Sequence, residues 1–472
     1  MTGSVPDWDA LQGAIAGEVV LPGSPGYELA RKPAIASFDG FRPRAVVRCA
    51  SPEDVAATIA LAGRSGLHAV PRSGGHCFAG RSSTSGVVLD VTPMRSVMLA
   101  HGQATIGAGA RLGEVYDALA AQGLTIAAGC GPTVGIAGLV LGGGLGILGR
   151  RHGLTCDQLL AARVVLADGR VVDCDQHHEP ELFWALRGAG GGNFGVVTSL
   201  VFRTLPAGSA TSFHLRWPHA RAAAVLDAWQ HWSPDAPDEL AASLLLTAAG
   251  RADPVVHLIG AMQGSESDTT ALLDQLVVRA GADPEAASRT HSPYRETKRQ
   301  LAELGDQLAE PPPDGPAPPG HPFSKSEFFR RTLPAEAITA LLRNFQVGAV
   351  PGQARELDFS PWGGAYNRVP EDATAFAHRG ERFLLKHAVV VDPGATPAET
   401  EAARAWLRRS WATVHPWGSG RVYPNFPDPD LDDWARAYHA GNLERLLRAK
   451  RRYDPDGFFR FHQSIPSHAE AR

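Results

Sequence analysis

The stretch "AVPRSGGHCFAGRSS", residues 69–83, places His76 directly behind two glycines at the end of a short apolar run. Paired glycines let a backbone come close to a flat or anionic group and take angles that other residues resist. An imidazole wedged there, with only small side chains beside it, is expected to lie against a ligand. Two further clusters, "GAGARLG" at 107–113 and "GGGLGILG" at 142–149, approximate the dinucleotide pattern GxGxxG. Neither clearly sits in a βαβ unit with an acidic residue about twenty positions on, so a nicotinamide-type site is set aside. Cys49, Cys77, Cys130, Cys156 and Cys174 are odd in number and show neither CxxC pairing nor a metal-ligand spacing. Free thiols and no metal centre follow.

These residues need elements to position them. A chain of 472 residues implies two or three domains. Hydrophobic content of 44% and charged content of 20% are ordinary for a soluble protein, and a net charge of −4 offers no basic surface for nucleic acid. The opening "MTGSVPDWDALQGAIAGEVV" has no leader pattern, and no run is long and apolar enough for a membrane span. A cytoplasmic protein without membrane partners is expected. From about Arg44 to Leu205, β-rich runs such as "GVVLDV", "VVLADGRVV" and "FGVVTSLVF" alternate with helical stretches such as "PEDVAATIALAGRSG", the texture of a mixed α/β domain. The middle carries amphipathic helices ("ARAAAVLDAWQHW", "AETEAARAWLRRSW") and apolar strands ("LAASLLLTA", "RFLLKHAVVV"). Its proline-rich run at 310–322 reads as a loop, since strand and helix patterns resume after it. From Arg421 onward come a turn, a capped helix of about twenty residues and a stop at Asp454-Pro455.

Four motifs in order, "VPRSGGHCFAG", "GCGPTVGIAGLVLGGGLG", "PELFWALRGAGGGNFGVVT" and "YPNF…YDPDGFFRFHQSIP", resemble the berberine-bridge-enzyme-like oxidases, covalent flavoproteins of the vanillyl-alcohol-oxidase type. The resemblance implies an α+β architecture: a PCMH-type FAD-binding domain of two subdomains, plus a substrate domain with an antiparallel sheet flanked by helices. The corresponding divisions are 1–205, 206–420 and a returning segment 421–472. It implies FAD with its pyrophosphate on backbone N–H groups of glycine-rich loops. Arg72, Ser73, Gly74 and Gly75 would line one loop, with His76 bonded to the flavin C8α methyl. Thr133, Val134, Gly135, Gly138, Gly142, Gly143, Gly144 and Gly146 would form a second. Asn193, Gly195, Val197 and Asn425 would complete the contacts. The activity implied is hydride transfer from a small-molecule C–H to the flavin, with reoxidation by dioxygen to peroxide.

The sequence departs from the family pattern twice. Many relatives read "CPTVG", with the cysteine bonded to flavin C6. Here Gly131 precedes Pro132 and Cys130 lies one step earlier, which makes Cys130 a possible second anchor only if Gly131 lets it turn. Many relatives also end "YxNY" with the second tyrosine as base, and here that position is Phe426. A phenyl ring cannot accept a proton, which leaves Tyr366, Lys386 and Tyr423 as candidate bases. Alternation in "RFLLKHAVVV" puts Leu384, Lys386 and Ala388 on one face and Leu385, His387 and Val389 on the other. Lys386 shares the face on which some relatives carry a glutamate, and burial would favour its neutral, basic form. His378 and Arg379 match a structural family element. A sugar or a polycyclic metabolite is the expected substrate class. A biosynthetic flavoprotein other than an oxidase, and a flavin-carrying binding protein, are the alternatives.

Overall fold

The computed structural model describes residues 5–250, 252–309 and 320–468. Strands β1 (Glu18–Val20), β2 (Ala45–Arg48), β3 (Ala69–Arg72) and β4 (Val87–Asp90) form a first sheet in the order β1-β2-β4-β3, with β2 and β3 both parallel to β4. Helix Pro52–Arg64 makes the connection from β2 to β3. Ser51 starts it by accepting the Asp54 N–H on its hydroxyl, Pro52 fits the first turn, and Val55, Ile59 and Ala62 face the core. The sheet is buried on both faces, which explains its unbroken apolar runs: Val47 and Leu89 join the main core, while Val46, Val70 and Val88 pack a smaller one with Val20 and Tyr27. Because β3 ends at Arg72, its edge delivers Ser73–His76.

Strands β5 (Val97–Ala100), β6 (Gln103–Gly107), β7 (Leu124–Thr125), β8 (Leu159–Val165), β9 (Val171–Asp175), β10 (Val196–Arg203) and β11 (Leu205–Pro206) follow. β7 and β11 pair with each other, and the rest form an antiparallel sheet in the order β5-β6-β10-β8-β9. "VVLADGRVV" is thus not one strand but the β8–β9 hairpin, turning through Gly169 at φ +83°. "GAGARLG" does join a strand, β6, to a helix, Leu112–Ala120, yet β6 lies between antiparallel neighbours, so no βαβ unit forms. Its Gly107 and Gly109 are packing glycines, since a Cβ there would stand 2.2 Å from the Met94 carbonyl oxygen and 2.0 Å from that of Val91.

The third sheet is antiparallel throughout and seven-stranded: β12 (Ser209–Pro218), β13 (Leu240–Ala249), β14 (Val255–Met262), β15 (Ala286–Pro293), β16 (His321–Phe329), β17 (Gln353–Pro361) and β18 (Phe383–Val391), ordered β15-β12-β14-β13-β17-β18-β16. Trp217, Leu246, Leu357, Phe359 and Leu385 point from one face into a second core. There they meet helices Ala222–Trp232, Glu266–Ala280, Ala335–Gln346 and Pro397–Val414. Leu384 and Phe328, on the opposite face, belong to the main core instead. The period-two reading of β18 therefore holds, and the Lys386 face is the one turned toward the first two sheets.

One local expectation changes, and one falls mostly outside the described residues. The C-terminal helix is split into Trp434–His439 and Leu443–Tyr453 by a 3-10 turn, Ala440–Asn442, with Ala440 at φ 46°. The break lets the Asn442 side chain donate to the Glu371, Thr374 and Ala375 carbonyls, an anchorage that a continuous helix would not provide. Of the proline-rich run, 310–319 lie outside the described residues, and β16 begins at His321.

Candidate active site

Two loops meet where β3 ends. Ser73–His76 presses on the turn 131–135, and the approach is too close for side chains. A Cβ on Gly74 would lie 2.2 Å from Gly135 N, and one on Gly135 would lie 2.3 Å from Gly74 N. Gly75 adopts φ +73°, which turns the chain into His76. The His76 Nε2 is buried with no hydrogen-bond partner. Burial lowers the imidazole's proton affinity, a hydrogen bond to the Thr133 backbone works the other way, and nearby Arg111 adds repulsion. The net direction leaves a neutral ring with a free lone pair, the form needed to attack an electrophilic carbon. Around it Gly131, Pro132, Thr133 and Gly138 are open, and a Cβ on Gly138 would meet nothing within 4 Å. An orphaned imidazole nitrogen beside an open, backbone-lined cradle fits a flat cofactor with an anionic tail.

The remaining sequence-derived contacts divide by what touches them. Arg72 donates to the Ser82 and Ala30 carbonyls with one guanidinium NH2 left unpartnered, and Ser73 donates to the Ala108 carbonyl, so both hold the loop in place. Val134 accepts from the Leu112 N–H through its carbonyl. Several glycines are required by protein neighbours: a Cβ on Gly144 would meet Thr155, on Gly146 the Ala128 carbonyl, on Gly195 Val164 and Val165, and on Gly143 Phe376. Gly142 makes room for the Asn425 amide, whose Nδ2 donates to the Leu139 carbonyl and the Tyr423 hydroxyl. Val197 is a core residue of β10. Asn193 is satisfied by protein: its Nδ2 donates to the Ala189 carbonyl, its Oδ1 accepts from the Ile465 N–H, and its carbonyl accepts from Lys450. Sequence alone could not separate glycines that meet a ligand from those that meet backbone.

Cys130 packs against the small core that contains Tyr294, within electrostatic reach of Tyr116 and Lys298. Burial pushes its thiol up, away from the nucleophilic thiolate, and Lys298 only partly offsets that. Position 131 has the open outlook, since a Cβ there would touch only a Val134 methyl, at 3.1 Å.

Across from the loops, Phe78, two residues beyond His76, makes an edge contact with Phe426 at 6.1 Å, and Phe426 packs on Tyr423 at 5.1 Å. The Lys386 ammonium lies over the Phe426 ring, 5.4 Å from its centroid. Lys386 is thus on the expected face, but its ionisation is the reverse of the expectation. Burial works to neutralise it, yet Glu356 at 2.8 Å and Asp358 at 3.6 Å more than offset that and hold it charged. A lysine so held is no base at neutral pH. Tyr366 is stacked on Trp362 at 4.5 Å and donates to the Gly146 carbonyl. Tyr423 accepts from the Gly144 N–H and from Asn425. Burial pushes both phenols up. Of the three candidate bases, only Lys386 stands among other ionisable groups on the sheet face.

Glu356 and Asp358 are functional candidates that the sequence reading missed. Their signal is the alternation in "RELDFSP": Leu357 and Phe359 enter the second core, so Glu356, Asp358 and Ser360 must share the other face. Register puts Asp358 opposite Lys386, and Lys386 opposite Ser326, whose hydroxyl is buried and unpartnered. Burial raises the Asp358 carboxyl, Lys386 pulls it down, Glu356 pushes it up, and Ser360 donates to its Oδ1 at 3.2 Å.

Comparisons with known proteins agree with this arrangement. Residues 43–175 match the FAD binding domain family and residues 422–466 the berberine and berberine-like family. The chain is 32% identical over 459 residues to an uncharacterized FAD-linked oxidoreductase, YvdP, of Bacillus subtilis (strain 168), covering 96% of this chain and 98% of that one. Among solved structures, Physcomitrella patens BBE-like 1 superposes with a TM-score of 0.87 at 26% identity, over 98% of this chain and 100% of that chain. A chitooligosaccharide oxidase gives 0.84 at 26% identity, over 97% and 98%. No helix among the described residues is long and apolar enough to cross a membrane. Motif order, fold and whole-length similarity converge: the chain belongs to the berberine-bridge-enzyme-like family of FAD-linked oxidoreductases.

Proposed function

We propose that this protein is an oxidase that holds FAD covalently through His76 alone and removes a hydride from a hydroxyl-bearing carbon of a small molecule, with dioxygen as final acceptor. The observation that carries the reading is the buried, unpartnered and neutral His76 nitrogen at the meeting of two glycine loops. When bound, FAD supplies the two-electron acceptor. The chain's own residues do the rest. Backbone around Gly74, Gly75, Thr133, Gly135 and Gly138 cradles the cofactor, while Asn425 and Tyr423 fix the glycine turn behind it. The sheet face bearing Thr247, Glu356, Asp358 and Lys386 receives the substrate. That polar face favours a sugar-like alcohol or hemiacetal over an apolar polycycle, and the likeness to a chitooligosaccharide oxidase supports the same class. The second anchor at Cys130 is not part of the reading, because burial disfavours its nucleophilic thiolate. The divisions 1–205, 206–420 and 421–472 belong to it, supported by the two separate cores. So does a cytoplasmic location, which suits five free cysteines.

The test is anaerobic mixing with reducing sugars such as cellobiose and N,N′-diacetylchitobiose. Bleaching of the flavin, followed in air by one peroxide per substrate oxidised, is expected. Bleaching without peroxide would mark a dehydrogenase of other electron acceptors, and no bleaching by any hydroxylated compound would remove the substrate class.

A further inference from the structure

Next to the 131–135 turn, a buried cation grips the chain without a counter-ion. Helix Tyr294–Ala309 follows the edge strand β15, and Tyr294 and Lys298, four residues apart, share one face of it. Lys298 is 3% exposed and donates its ammonium to the Ala128 carbonyl at 2.6 Å and the Gly129 carbonyl at 3.1 Å. The charge lies 3.6 Å from the centroid of the Tyr116 ring and 5.3 Å from that of Tyr294. Tyr116 also donates its hydroxyl to the Gly129 carbonyl. No carboxylate pairs with Lys298 among the described residues. The titratable groups that face it are Tyr116 from helix Leu112–Ala120, Tyr294 from its own helix and Cys130 from the loop, and burial pushes all three toward their neutral forms. Arg295, next to it in the helix, is paired at the surface with Asp117. Carbonyl dipoles and ring faces therefore leave the Lys298 charge uncompensated. The cradle begins two residues beyond Gly129, at Gly131, a span of at most about 7 Å.

We propose that Lys298 is the counter-charge of the reduced flavin, raising the reduction potential of the cofactor from behind the loop that holds it. A hydride carries two electrons and one proton, so a neutral ring system that accepts it from a substrate C–H gains one negative charge. At an effective dielectric near 20, a unit charge about 12 Å away shifts such an equilibrium about tenfold. Coupling is reciprocal, so the reduced ring raises the proton affinity of Lys298 by the same factor, one pH unit. Burial brings the ammonium down to about 7, and the Cys130 thiol works the other way. Lys298 is thus charged in both flavin states at pH 6 and neutral in both at pH 9, and its effect on the potential belongs to the acid side of that window.

The inference rests on flavin held at the His76 loops and on no substrate, so both readouts are taken without turnover. In flavin-loaded protein equilibrated with a reference dye, Lys298→Gln keeps a hydrogen-bond donor and loses the charge. Its two-electron equilibrium should fall about tenfold at pH 6, or about 30 mV, and match wild type within twofold at pH 9. Lys298→Arg, which keeps the charge, should stay near wild type at pH 6. A role in tethering the loop alone would give a deficit that does not fade with pH. The second readout needs only wild type, whose lysines are Lys32, Lys298, Lys325, Lys386 and Lys450. With ¹³C-labelled lysine, one NMR signal should titrate near pH 7 in oxidised protein and about one unit higher after reduction, and it should be missing in Lys298→Arg. If Lys298→Gln fails to hold flavin, this signal decides alone. If FAD proves to be bound without a covalent bond, the His76 reading fails while both readouts still judge Lys298. A potential in flavin-loaded Lys298→Gln equal to wild type at pH 6, a deficit unchanged at pH 9, or a lysine signal unmoved by reduction overturns the proposal.

Discussion

Lys386 and His387 are neighbours in one strand and meet opposite electrostatic fates. Lys386 faces two carboxylates and stays charged, whereas His387 is buried on the helix side, bonded to the Ser410 hydroxyl at 2.9 Å and held neutral, its proton affinity pushed down by burial to about 3. The sign for stability follows. The unfolded chain takes a proton on this ring near pH 6.5 and the folded chain only near 3, so between those values the unfolded state binds more protons and stability falls with falling pH. At pH 5 the loss from this ring alone is about 2 kcal/mol. His387→Asn cannot titrate, so its deficit in melting temperature relative to wild type should shrink between pH 7 and pH 5. A deficit that stays constant over that range would show that His387 is not held neutral. At this scale the strand phase of Lys386 was legible from period two. Its charge state was not, because Glu356 and Asp358 reach it from a strand some thirty residues earlier in the chain, brought alongside by β17–β18 pairing.

Among the elements, the C-terminal helix Leu443–Tyr453 fastens the glycine-rich segment before β10. Lys450, fully buried, donates to the Asn193 carbonyl at 2.6 Å, to the Phe459 carbonyl at 2.6 Å and to Asp454 at 2.7 Å, and Asp454 in turn accepts the Phe458 and Phe459 N–H groups. Lys450→Met would leave the Asp454 charge buried without its cation, a change that typically costs about 3–5 kcal/mol. A large drop in melting temperature together with a lower flavin content is expected, measured by thermal unfolding and the visible spectrum. A variant as stable as wild type would show that the ion pair is dispensable. The sequence announced the stop at Asp454-Pro455 but not the Ala440 break, because that break serves Asn442's bonds to a segment about seventy residues away. Glycine runs were equally visible, yet their division between ligand and backbone depends on neighbours such as Ala128 and Val164.

For the whole molecule, the third sheet is tied to the first two through the main core, while its helix side keeps a core of its own. Phe328, Trp362, Phe376, Leu384 and Tyr423, from the third sheet and the segments around it, share a core with the first two sheets, and the buried Arg379–Asp157 pair crosses between the halves with two hydrogen bonds at 2.8 and 2.7 Å. A largely apolar junction of this kind opposes independent domain motion. One calorimetric transition is expected for flavin-loaded enzyme, with Arg379→Met lowering it, and two well-separated transitions would contradict the joined core. The family was readable from four motifs in order. How the third sheet sits on the loops was not, because the residues that join them are scattered from Asp157 to Tyr423.

The central claim is a flavin bonded to His76 and to no other residue. Its most direct test is mass analysis of peptides from acid-denatured protein. The account predicts that the yellow colour stays with the precipitate, that flavin mass is found on the His76 peptide, and that the Cys130 peptide is unmodified. Free FAD in the supernatant with an unmodified His76 peptide, or a flavin bridging both peptides, would contradict it.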